Sequence, residues 1–165
     1  MNSNKHKQKS NKPRSGDRLI SVNRRARYEY HILKSMEAGI TLKGTEIKSI
    51  RTARVSIQHS FARISKSEAW LHGMHIPAYE KGNIYNHDPA RPRKLLLRKA
   101  QIKDLEREIK SSNLTIIPLR LYITRHKAKV ELALAQGKKL HDKRQSIAKR
   151  DTDREMSRRL KNQTS

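Results

Sequence analysis

The sequence predicts a mainly β, α+β fold: a small antiparallel β-barrel with flanking short helices, set between basic ends that pack no core. Three observations predict it. Apolar and polar side chains alternate in several short runs bounded by turn residues, only two stretches have helical spacing, and both ends of the 165-residue chain are rich in Lys and Arg but poor in large apolar groups. Closing the sheet on itself would remove the strand edges that otherwise pair with other chains.

The elements follow in order. Between Met1 and Arg18 the only sizeable apolar side chain is Met1, so this arm cannot offset the entropy of ordering and is expected to be disordered. Tyr28, Tyr30 and Ile32 alternate with Arg27, Glu29 and His31; Ile40 and Leu42 alternate after a break at Gly39, and Gly44 closes the pair. Thr45 reads as the N-cap of a short helix in which Ile47 and Ile50 share one side, leaving Glu46 and Lys48 to face outward. Residues 61–64 and 69–72 read as a hairpin across Ser65, Lys66, Ser67 and Glu68. Pro77, Gly82, Pro89 and Pro92 mark an exposed loop, of the kind that carries function more often than stability. Leu95, Leu96 and Leu97 fit strand or helix equally. Ile102, Leu105 and Ile109 then define an amphipathic helix, and Leu119, Leu121 and Ile123 with Val130, Leu132 and Leu134 define a last hairpin before Gly137.

Composition narrows the partner. Lys and Arg total 39 against 15 Asp and Glu, a formal charge of +24 whose self-repulsion is best relieved by a polyanion, with nucleic acid the first candidate. No apolar run approaches the roughly 18 residues of a spanning helix, and no signal peptide or lipidation pattern is visible, so the expected location is the cytosol, with no membrane partner. The absence of Cys excludes disulfides, thiolate zinc sites and Cys nucleophiles. From Lys138 onward the chain is basic, with Leu140, Ile147, Met156 and Leu160 its only large apolar groups, which reads as coil when free and helix once its charges are neutralised.

Six motifs stand in a telling order: Asn23 to Arg27 (NRRAR), Glu37 to Ile40 (EAGI), Gly44 to Ser49 (GTEIKS), Asp88-Pro89, Arg93 to Leu97 (RKLLL) and Gly137 to Arg144 (GKKLHDKR). In that order they resemble the SsrA-binding protein family, over roughly Asn23 to Leu160. The resemblance implies an OB-like barrel domain over 19–137 between the arm 1–18 and the tail 138–165. It implies a monomer without cofactor or metal and without enzymatic activity, which binds the tRNA-like domain of transfer-messenger RNA. Such a protein delivers that RNA to stalled ribosomes for trans-translation, its tail entering the empty messenger channel at the decoding centre of the small subunit.

By the same resemblance Arg24, Arg25, Glu46, Lys48, Arg93, Lys94 and Leu96 would meet the tRNA-like domain. In the tail, Lys138, Lys139, Asp142, Lys143 and Arg144 would meet the ribosome, and His141 would stack on a base. Cations around a rigid platform, with flat side chains for stacking, are what a folded RNA requires. Glu46 is the odd member: it would accept hydrogen bonds from a base edge or hold a neighbouring Arg, or it is an ordinary helix-start Glu.

Other readings were weighed on the residues. His72 and His75 lack a third metal ligand at suitable spacing. His87-Asp88 could be the acid–base pair of a metal-dependent RNA hydrolase, but no nucleophile accompanies it, and Asp88 before Pro89 more simply starts a turn. Trp70 could stack on RNA or on the core. An OB-type ribosomal or initiation-type protein without transfer-messenger RNA is the alternative binding class. The chain departs from the family's usual residues at Ala53, Ser56 and His59, and Thr124 to Ala128 lack the Gly expected in the last turn.

Overall fold

The computed structural model describes residues 16–52, 54–79 and 87–142, with Arg144, Thr152 and Met156. Most of the N-terminal arm, the middle of the proline-punctuated loop, and most of the tail, Lys143 included, lie outside the described residues. The described residues form a mixed fold, a seven-stranded antiparallel sheet with flanking helices.

The chain enters on a strand that the alternation does not reveal. β1 (Arg18–Val22) pairs with β6 (Thr115–Thr124), and its register shifts between Leu19 and Ser21. That bulge breaks the two-residue period of Leu19, Ile20 and Val22, so the sequence carries no clean strand signal there. Asn23 then turns the chain. Its backbone N–H donates to the Leu119 carbonyl at 2.9 Å, its carboxamide donates to the Pro118 carbonyl at 3.2 Å, and its Oδ1 accepts from the Ala26 N–H at 3.1 Å. A single turn, α1 (Ala26–Glu29), follows; it takes in Tyr28, which the alternation had put in a strand.

β2 (Tyr30–Ile40) runs unbroken through Gly39, where a break was expected. Gly39 is there because β5 (Arg93–Leu96) comes close: a Cβ on Gly39 would lie 3.2 Å from the Leu96 Cβ. The three leucines are thereby resolved as strand up to Leu96. Next, α2 (Gly44–Thr52) starts one residue before Thr45, whose buried hydroxyl has no hydrogen-bond partner. The capping is done instead by Glu46, which accepts from the Lys43 N–H at 2.8 Å, the reach-back half of a capping box.

The two hairpins form as expected. β3 (Phe61–Ser65) and β4 (Glu68–His72) pair from Phe61 opposite His72 to Ser65 opposite Glu68, turning on Lys66 and Ser67 at φ of 50° and 59°. β6 and β7 (Lys127–Gly137) close tightly on Arg125 and His126, at φ of 45° and 64°. Two successive left-handed residues suit the twist of a two-residue hairpin, so the turn is made without the glycine that usually relieves them. Pro118 sits within β6 beside a register shift, where a missing N–H is tolerated. α3 (Lys99–Ser111) buries Ile102 and Leu105 on its apolar stripe.

Pairing runs in the order β1-β6-β3-β4-β5-β2-β7, and β7 pairs back onto β6. Strands β2 to β7 therefore each have a neighbour on both sides. The main core packs against these strands, with Leu71, Leu95, Leu121, Val130, Leu132 and Leu134 all nearly sealed from solvent. Ala26, Ile117, Leu119, Ala133 and Ala135 form a second, smaller cluster on the far face of β6 and β7, under α1. Leu140, His141, Asp142, Arg144, Thr152 and Met156 are helical, where the sequence reading expects coil until a partner binds.

Truncation should separate core from surface leucines. Leu121→Ala, at 0% exposure, is expected to cost about 3 kcal/mol of unfolding free energy. Leu96→Ala, at 56% exposure, should cost under about 0.5 kcal/mol. Urea unfolding of the two variants at unchanged m-value checks this; equal losses would place Leu96 in the core.

Candidate nucleic-acid interface

The site is organised by a carboxylate that sequence reasoning placed in solvent. Glu46 is only 5% exposed, because it shares a helical stripe with Ser49 and Ile50 instead of facing out beside Lys48. Its charge is met by two guanidinium groups. Arg91 Nε donates to Glu46 Oε1 at 2.9 Å while its Nη2 bonds Oε2, and Arg93 Nε donates to Oε1 at 3.0 Å. Arg93, at 0% exposure, then spends its other N–H groups on backbone: the Met74 carbonyl at 2.6 Å, Arg91 at 3.1 Å and Pro89 at 2.9 Å. One Glu–Arg pair thus ties α2, β5 and both flanks of the 77–92 loop together. Glu46 and Arg93, expected to meet RNA, are buried, and of the three readings open to Glu46 the geometry supports two: it holds neighbouring arginines and it caps the start of its helix.

Burial alone would push the Glu46 carboxyl up. The Arg91 hydrogen bond, the Lys43 N–H and the charges of Arg93 and Arg91 outweigh it and hold the group below its ordinary value. Burial pulls Arg93 below the usual arginine range against the opposing pull of Glu46. Around this centre the loop is fixed by local bonds: the Asp88 carboxylate accepts from the Ala90 N–H at 2.8 Å, the turn its place before Pro89 suggests. The Lys43 ammonium lies 3.5 Å from His87 Nδ1, and Lys48 lies 5.9 Å from the centre of the Tyr79 ring.

Above the buried pair the surface is cationic and partly apolar. Lys48 is exposed on α2, and the outward positions of β5 carry Lys94 and Leu96. Gly39 pairs with Leu96 on one side and Lys129 on the other, and Lys129 pairs with Tyr122, so these four residues form one row across β5, β2, β7 and β6. Beside that row Glu37 accepts from the Tyr122 hydroxyl and the Lys129 ammonium. Burial first, and then the Glu37 carboxylate, push the Tyr122 phenol well above its usual range, so it stays a donor. Glu37, Arg91, Tyr122 and Lys129 were missed by sequence reasoning. Only Glu37 carried a signal, its place in the EAGI motif.

Arg24 and Arg25 sit elsewhere, at the entry to α1, both exposed. Arg25 pairs with Glu29 at 3.1 Å, and Arg24 lines a groove with Asn23, Arg27, Leu119, Arg120 and Glu131. The root of the tail is on this side too: the Lys138 N–H donates to the Glu29 carbonyl and its ammonium to the Arg27 carbonyl, each at 2.9 Å. Asp142, expected to face the ribosome, instead lies 3.4 Å from His31 Nε2 of β2 and accepts from the Lys139 N–H at 3.3 Å. The His31 hydrogen bond, helped by that N–H and the nearby histidine charges, holds its carboxyl below the usual value against a small opposing effect of burial. Lys139, His141 and Arg144 are exposed. The candidate residues therefore form two groups, one around α2 and β5, the other around α1 and the tail root.

The remaining candidates have structural partners. His72 stacks on Phe61, and His75 exchanges backbone bonds with Ser56. Among the described residues no three His, Asp or Glu side chains come together as metal ligands.

Glu46 should make stability acid-sensitive. Its folded value lies below the unfolded one of 4.5, so the stabilisation is fully present above that pH and is lost as pH falls through the folded value. Glu46→Gln is expected to cost about 3 kcal/mol at pH 7, because it strands Arg91 and Arg93. Urea unfolding of both proteins should converge as pH is lowered below the folded value; a gap that stayed constant with pH would mean the carboxylate charge is not what matters.

Known proteins were compared against this geometry. Residues 20–162 match the family described as SmpB protein. An SsrA-binding protein of Enterococcus hirae is 51% identical over 150 residues, spanning 91% of this chain and 97% of that one. One from Carboxydothermus hydrogenoformans is 52% identical over 145 residues, 88% of this chain and 97% of the relative. Among solved structures, a chain in "tmRNA-SmpB: a journey to the center of the bacterial ribosome" superimposes with a TM-score of 0.62 at 47% identity, covering 74% of this chain and 86% of that one. With a sealed Glu–Arg centre beneath a cationic face and this likeness along nearly its whole length, the chain belongs to the SmpB family of SsrA-binding proteins.

Proposed function

We propose that this protein binds transfer-messenger RNA and delivers it to ribosomes stalled on incomplete messages, acting by binding and not by catalysis. The observation that carries the reading is the family match over residues 20–162, joined to the likeness with the SmpB chain of a tmRNA-bound assembly. The +24 charge supplies the general attraction to RNA. We read the ring of strands β2 to β7 as an OB-like barrel, a scaffold that presents nucleic-acid contacts from a rigid surface. A protein serving ribosomes in this way works in the cytosol.

In this reading Lys48, Lys94 and Leu96 form the contact to the tRNA-like domain, with Arg24 and Arg25 as a second point. Glu46 and Arg93 act through the loop they hold and not by touching RNA. The tail, from Lys138 through Lys139, His141, Lys143 and Arg144, is assigned to the small subunit's decoding centre and messenger channel. Lys and Arg there neutralise phosphates, and His141 stacks on a base. Asp142 is reassigned: its bond to His31 makes it a brace for the tail root.

Two measurements test this division. Lys48→Ala should weaken tmRNA binding by about threefold to tenfold and lower the magnitude of the log–log salt slope by about one. A chain ending after Leu140 should bind tmRNA within about twofold of the full protein yet fail to support tagging on stalled ribosomes. Parallel loss of RNA affinity and tagging in the truncated chain would refute the two-part assignment.

A further inference from the structure

The outer face of the β3–β4 hairpin carries an arrangement that the roles above use only at its Lys94 edge. By strand alternation Phe61 and Arg63 of β3, Trp70 and His72 of β4, and Lys94 of β5 all stand on the side away from the core, whose own positions are Ala62, Ala69, Leu71 and Leu95. The register arranges them in two rungs. Phe61 faces His72, and their rings stack with centroids 5.4 Å apart and planes 14° from parallel. One rung along, Trp70 lies between two cations, Arg63 opposite it on β3 and Lys94 opposite it on β5.

A cross-strand ring pair by itself does no more than stabilise a sheet. Two features here go further. Phe61, the only Phe in the chain, remains 44% exposed although the core is built entirely from other residues, so nearly half of a flat apolar surface faces solvent. Cations also predominate around it: Glu68 is the only acid on these three strands and is engaged by Lys94, and Glu106 of α3, beside Phe61 and Arg63, is accompanied by Lys110. Flat rings beside backbone-neutralising cations are what an unstacked base with its phosphate requires. The rungs are about 7 Å apart, two residues of strand, which is on the order of one extended nucleotide.

We propose that this face is a stacking subsite for unpaired RNA, taking a base on the Phe61–His72 pair and its flanking phosphates on Arg63 and Lys94. The inference rests on the RNA-binding reading only in the choice of polyanion. It assigns a contact for single-stranded nucleotides centred on β3 and β4, which meets the α2–β5 contact given to the folded tRNA-like domain only at Lys94.

Trp70, the chain's only Trp, lies on the platform and reports its occupancy. Titrating the full chain with an oligoadenylate RNA of about twelve nucleotides at low salt should quench Trp emission saturably. Phe61→Leu keeps the apolar bulk and loses the ring, and should weaken that binding about tenfold. Arg63→Gln, an exposed change that leaves the fold intact, should weaken it about threefold and flatten its salt dependence. Tight binding of tmRNA with no Trp response to oligoadenylate, or with a response that Phe61→Leu and Arg63→Gln leave unchanged, would overturn the subsite while leaving the RNA reading intact. Failure to bind either RNA would overturn both.

Discussion

The structure depends on neutralising one buried charge. Moving a carboxylate out of water costs several kcal/mol unless its partners are close and correctly aimed, and a guanidinium sealed from solvent has the same problem. Glu46 and Arg93 solve it for each other, but only while Arg91 completes the carboxylate's bonding and three carbonyls complete Arg93's. Those carbonyls belong to Met74, Pro89 and Arg91, on the two arms of the loop. Dissolving the pair would therefore free α2, the entry to β5 and both loop flanks together. The surface above it, with Lys48 on the helix and Lys94 and Leu96 on the strand, keeps its spacing because the layer beneath admits one arrangement.

The same economy recurs wherever this basic chain places an acid. With 15 acidic residues against 39 basic ones, each carboxylate can fix a cation that would otherwise be a mobile tether. Glu37 orients Lys129 and Tyr122, Glu131 orients Arg120, and Glu68 orients Lys94. Pairs as exposed as those of Glu37 and Glu68 add little stability, so their effect here is on geometry, whereas the Glu131 carboxylate is buried and needs its Arg120 partner. A polyanion approaching the folded part meets cations held in register, whereas basic residues of an unpacked segment bring affinity without a fixed spacing. In the proposed reading, shape recognition falls to the first and charge neutralisation to the second.

How much of this was legible depended on whether the cause was local. The hairpins β3–β4 and β6–β7 and the helix α3 follow from two-residue and three-to-four-residue periods confined to single segments, and the alternation gives them directly. β1 was hidden because its bulge breaks the period within five residues. Gly39 looked like punctuation because glycine usually is; its actual cause is Leu96, close in space and far along the chain. Glu46 was misplaced for the same reason. A Glu on a short helix is an exposed residue until Arg91 and Arg93, more than forty positions later, are brought under it. The family motifs pointed to α2 and β5, but a motif records which residues matter, not whether they touch the ligand or hold what does.

The tail root shows how the two tasks are mechanically joined. Lys138 ties the chain to α1, through the Glu29 and Arg27 carbonyls. A cation is well placed there, since the end of a helical turn presents unpaired carbonyls. A few residues on, Asp142 meets His31 of β2 and the Lys139 N–H, which holds the first turn of the tail against the sheet. Arg144, the next described basic residue, follows this turn and is exposed. In the proposed reading, the RNA contact at α1 shares its element with the Lys138 anchor of the tail root, and no change of shape need pass through the domain. Such coupling needs no flexible relay: it needs the first turn to stay braced, by the Asp142–His31 contact to β2 and the Lys138 bonds to α1.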